Sequence, residues 1–102
     1  MRIIHGFINE DGSLVSYGDS DNGHIDITRI DTGLYEVNFE PHFSNIPSVV
    51  ATQLWEGSGP KGGSTLDNVV MVTLSNNSVR FKTGGGSGDA ANRKFTFIAM
   101  GN

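Results

Sequence analysis

The sequence predicts an all-β fold, an antiparallel β-sandwich of six to eight short strands with no significant helix. Three observations carry that prediction. Apolar and polar residues alternate with period two through much of the chain, as in Tyr35-Glu36-Val37-Asn38-Phe39. Asn, Asp and Gly cluster between the alternating runs, where tight turns need positive φ. No window of eleven residues keeps a helical period, and the strong helix formers are scarce. The length, 102 residues, suits one domain spanning 1–102.

The elements follow in order. Alternation places strands at 2–8, 13–18, 24–30, 34–40, 48–55, 68–75, 78–83 and 93–100. Asn9-Glu10-Asp11-Gly12, Asp31-Thr32-Gly33 and Ser75-Asn76-Asn77-Ser78 are hairpin turns. Pro41 and Pro47 bracket a segment that connects strands without being one. In 34–40, Tyr35, Val37 and Phe39 share the buried face, and in 78–83 Val79 and Phe81 do. Strands 48–55, 68–75 and 93–100 are different, because they place apolar residues on both faces. A two-layer sandwich covers only one face of each strand. Val50, Leu54, Val70, Val72, Ile98 and Met100 would then form a large exposed patch. The expectation is a homo-oligomer whose interface is the outer face of the sheet holding these three strands. A closed barrel with a wide interior is the alternative.

Composition narrows the function classes. Net charge is −4, from 7 Lys and Arg against 11 Asp and Glu, which argues against coating of nucleic acid. Cysteine is absent, which excludes disulfides, thiolate metal sites and a cysteine nucleophile. No apolar run reaches the ~20 residues of a membrane-spanning helix. The N-terminal residues alternate as a strand does and do not form a signal peptide. The expected location is therefore cytoplasmic, virion-associated or reached by non-classical export.

Several motifs have simpler readings. Gly57-x-Gly59-x-x-Gly62 has the spacing of a dinucleotide fingerprint, but Pro60 interrupts it and no helix follows, so it reads as a loop. Asp19, Asp21 and Asp26 could offer oxygen ligands to Ca²⁺, against the simpler reading of a solvated turn. The three histidines lack zinc-ligand spacing. Trp55, the single tryptophan, sits at a strand end beside the Gly57–Ser64 loop. It is either a platform for stacking on a sugar or a core or subunit-interface aromatic. No nucleophile and base or carboxylate pair stands out by spacing, so the chain does not read as an enzyme.

Two segments carry a resemblance. They are Thr32–Phe39 with Phe43 and Ile46–Thr52, and Val79–Thr83 with Phe95–Gly101. Together they resemble small bacterial and phage β-sandwich domains similar in pattern to the H-type lectins, the snail agglutinin and discoidin C-terminal type, over about 30–101. That family implies a six-stranded sandwich that assembles as a trimer and binds N-acetylgalactosamine or galactose between protomers. It implies contacts from an acidic or polar early loop, here Asp21, Asn22 or His24, and from a late loop, here Asp89, Asn92 and Arg93. The Trp-His pair the family often carries before its last strand has no counterpart in 84–92. The implied function is a non-catalytic carbohydrate-binding module acting as a homotrimer on glycan or cell-surface carbohydrate. The alternative is a structural or adhesion module, such as a phage tail-fibre or spike-tip domain.

Overall fold

The computed structural model describes residues 1–57, 59 and 62–102. Among them, eight strands form two four-stranded sheets and no helix is present. The strands are β1 (Arg2–Ile8), β2 (Leu14–Asp19), β3 (His24–Asp31), β4 (Leu34–Glu40), β5 (Ser48–Leu54), β6 (Asn68–Leu74), β7 (Ser78–Gly84) and β8 (Lys94–Gly101). Each lies within one residue of its predicted bounds. The first sheet runs β2-β1-β8-β5 and the second β3-β4-β7-β6, with every pairing antiparallel. The β1–β2, β3–β4 and β6–β7 hairpins each stay in one sheet, and the other connections cross between sheets. The three predicted turns make those hairpins, with Gly12 at φ 92° and Gly33 at φ 68°. Pro60, inside the formal fingerprint, lies outside the described residues.

The core sits between the sheets. Ile4 and Ile8 of β1 and Phe95, Phe97 and Ala99 of β8 meet Tyr35, Val37 and Phe39 of β4 and Val79 and Phe81 of β7. Ring centroids of Phe81 and Phe95, and of Tyr35 and Phe95, are 5.1 Å apart and tilted, as aromatic quadrupoles favour. Gly6 makes room for this packing, since a β-carbon there would lie 2.6 Å from Cε1 of Phe97. The buried Tyr35 hydroxyl donates to the Glu10 carbonyl at 2.7 Å, and burial pushes its pKa up.

Arg2 shares the inward side of β1 with Ile4 and Ile8 and is only 5% exposed. A buried charge needs a partner, and the β1–β2 ladder supplies Asp19. Arg2 Nη2 donates to Asp19 Oδ2 at 2.7 Å and Nη1 to the Pro41 carbonyl at 2.6 Å. The guanidinium also lies 4.8 Å from the Phe43 ring centroid. It thereby fastens the β4–β5 connection, which includes the cis Glu40–Pro41 bond, over one end of the core.

The two outer faces differ. The second sheet turns Asp26, Glu36, Asn38, Arg80 and Lys82 outward, and Arg80 Nε donates to Glu36 Oε2 at 2.7 Å. That contact holds the Glu36 carboxyl below the ordinary range. The first sheet instead turns Ile3, Val50, Leu54, Ile98 and Met100 outward, and all five are exposed. The six residues expected to be left uncovered are indeed exposed. They do not share one sheet, however. β5 and β8 are neighbours in the first sheet, while β6 is an edge of the second. The cause is the long β5–β6 connection, which crosses the sandwich and seats β6 beside β7. Val70 and Val72 are exposed as residues of a bulged edge strand, with the irregularity between Met71 and Thr73. The sheets stay separate, so the barrel alternative does not hold.

Candidate functional site

Strand direction sorts the loops into two ends. One end gathers the turns at 9–13 and 31–33, the 55–67 connection and the 85–93 connection. Trp55, Asp89, Asn92 and Arg93 are all here. The other end holds the 20–23 turn and the 41–47 connection, and with them Asp21, Asn22 and His24. Within one chain the structure therefore does not bring the early-loop and late-loop candidates together.

Trp55 follows β5 directly and is 39% exposed, so it is not a core residue. Arg93 precedes β8, the strand paired with β5, and this pairing brings the two side chains to the same rim. The Arg93 guanidinium stacks on the indole, its Cζ 3.6 Å from the ring centroid. Gly57 abuts the edge of the ring, where a β-carbon would collide. Arg93 Nη1 also lies 3.6 Å from Asp67 Oδ1, and Asp67 Oδ2 accepts from the Ser64 amide at 2.7 Å. The tryptophan is thus stacked on one face by Arg93, met at its edge by Gly57, and 39% exposed among the described residues.

Two depressions border Trp55. One, of about 320 Å³, is lined by Gln53, Trp55, Ser64, Thr65 and Asp67 with glycines 62 and 63. The other, of about 240 Å³, is lined by Glu10, Leu54, Glu56, Gly57 and Lys94 with Trp55. An aromatic surface beside amide, hydroxyl and carboxylate groups suits a ring with one apolar face and a rim of hydroxyls. Two buried atoms, Gln53 Oε1 and Arg93 Nη1, have no hydrogen-bond partner among the described residues.

The remaining candidates have other surroundings. Asp89 is exposed and closes the 85–89 turn, its carbonyl accepting from the Gly85 amide at 3.0 Å. Asn92 Oδ1 accepts from the Gly33 amide at 2.7 Å and so fixes the β3–β4 turn. Asn22 takes a positive φ of 60° in the β2–β3 turn, and Asp21 donates its amide to Asp19 Oδ1 at 2.9 Å. His24 Nε2 lies 3.6 Å from Asp26 Oδ2 on the exposed face of β3.

The calcium option loses its ligands here. The Asp19 carboxylate is engaged by Arg2 and is only 1% exposed. Asp26 points outward beside His24. Among the described residues no group of three or more His, Asp or Glu is placed to hold a metal ion.

Of the lining residues only Trp55 was a sequence candidate; Gln53, Ser64, Thr65 and Asp67 are among those that sequence reasoning missed. Gln53 has the parity of an inward residue in β5, which is a usable signal. Asp67 sits in a loop with no local pattern to mark it. Compared with protein-family models, with curated proteins and with solved structures, the chain shows no match.

Proposed function

We propose that the protein is a non-catalytic carbohydrate-binding module acting as a homo-oligomer, with glycan or cell-surface carbohydrate as its partner. The observation that carries the reading is Trp55, exposed at a loop rim, stacked by Arg93 and bordered by Gln53, Ser64, Thr65 and Asp67. The resemblance to the H-type lectins supports the same reading and implies a homotrimer. The sugar-facing aromatic here comes from the end of β5, not from the loop before the last strand. Of the seven residues first considered, Trp55 and Arg93 form the centre of the proposed site. Asp89 and Asn92 share its group of loops without lining either depression, and Asp21, Asn22 and His24 belong to the opposite end. Single weak sites gain strength when several copies present them together.

A glycan array that includes N-acetylgalactosamine and galactose tests the reading. The intact protein is expected to bind a defined subset, and Trp55→Ala to lose that binding while keeping its assembly mass. Retained binding in Trp55→Ala, or no binding to any glycan, would overturn it. The second reading is a structural or adhesion module, such as a fibre or spike tip. It is favoured by the apolar outer face of the first sheet, which calls for a partner whether or not a sugar binds. A blank array with a stable assembly would select it.

A further inference from the structure

We infer that the outer face of the β2-β1-β8-β5 sheet is the assembly surface of the molecule, covered by the same face of another copy of this chain. The inference does not depend on the carbohydrate reading.

The apolar side chains form one tract. Ile3 pairs with Met100, and Ile98 lies between His5 and Val50. Phe7, Thr96 and Thr52 form the next row, and Leu54 pairs with Lys94 at the rim. The tract thus crosses three adjacent strands, with Ile98 and Thr96 near its middle. A dent of about 230 Å³ between β5 and β8, lined by Val50, Thr52, Thr96 and Ile98 among others, gives the tract relief into which side chains can seat. The outer face of the second sheet, by contrast, is charged in the ordinary way for a sandwich. An uncovered apolar tract across three adjacent strands is therefore particular to the first sheet, the second exposing Val70 and Val72 along its edge strand β6.

Charge and size point to a second copy as the occupant. Among the outward side chains of the four strands only Lys94, at the rim, and His5 can carry charge, and none is a carboxylate. When this face meets itself, no acid is buried unpaired, although the chain carries a net −4. A charged partner would lose its hydration and find nothing to pair with. Four strands about 4.8 Å apart and seven residues rising about 3.4 Å each make a face of roughly 19 by 24 Å. Two such faces span roughly 900 Å² in projection, and side-chain relief lifts the accessible area to the ~1,000 Å² that a specific interface requires.

The test is mass in solution, by light scattering and sedimentation over a range of concentrations. The intact chain is expected to run as more than one copy. Ile98→Glu is expected to fall to the single-chain mass of 10.9 kDa with its strand circular dichroism retained. Lys82→Glu, on the outer face of the second sheet, is expected to keep the assembly mass. Because the chain has no cysteine, Thr96→Cys gives a second measurement that leaves the apolar residues in place. A short bis-maleimide should link Thr96→Cys chains into pairs and leave Lys82→Cys chains single. An intact chain that stays a monomer at every concentration would overturn the inference. So would an Ile98→Glu variant that folds and keeps the assembly mass, or Thr96→Cys chains that do not link.

Discussion

Asp19 illustrates how one residue is given a different task from the one its neighbours suggest. In sequence it belongs to an acidic cluster, yet in the fold its carboxylate is buried against Arg2. The Arg2 hydrogen bonds hold the Asp19 carboxyl below the ordinary carboxylate range, and burial opposes that shift without reversing it. A folded pKa below the unfolded value means the pair contributes its full stability above about pH 4. That contribution is lost as pH falls through the folded pKa. Asp19→Ala is expected to cost about 3–5 kcal/mol at neutral pH, because it leaves a buried guanidinium without its partner. Urea unfolding checks this, and the difference from the intact protein should shrink as both are taken into acid. Half of this arrangement was legible beforehand. Arg2 has the same parity as Ile4 and Ile8, so its inward direction follows from the alternation. Its partner is seventeen residues away, and no local pattern names it.

Strands are read more easily than sheets, and β6 shows why. The eight strands were legible because alternation and turn residues are local properties, and both act within a few positions of each other. Sheet membership is decided by long-range pairing. The two-faced character of β6 reads the same whether its neighbour is β8 or β7. In the structure β5 and β6 belong to different sheets, and Gln53 links them. Its Nε2 donates to the Asn68 carbonyl at 2.5 Å and to the Gly84 carbonyl at 2.9 Å. Gln53→Leu is expected to cost about 0.5–1.5 kcal/mol by removing those hydrogen bonds. Hydrogen exchange is the measurement, with faster exchange expected in the first half of β6 and at the end of β7. The site was legible to a similar degree. Trp55 stood out as an aromatic at a strand end, whereas its contacts with Arg93 and that residue's with Asp67 needed the pairing of β5 with β8 and the crossing connection.

The whole molecule is a sandwich with one charged outer face and one apolar one. The lectin resemblance implies three chains, which the mass measurement checks. Closure of three chains around one axis would set every Trp55–Arg93 rim at the same end of the assembly. The lack of carboxylates on the apolar face has a thermal consequence. An association driven by water release from hydrocarbon carries a negative heat-capacity change, so it weakens on chilling. Sedimentation at about 4 °C should show a larger share of single chains than at about 25 °C, reversibly on warming. Added sodium chloride should leave the assembly intact, since there is no ion pair at the middle of the face for it to screen. The complex would be lost in the cold room and kept in brine.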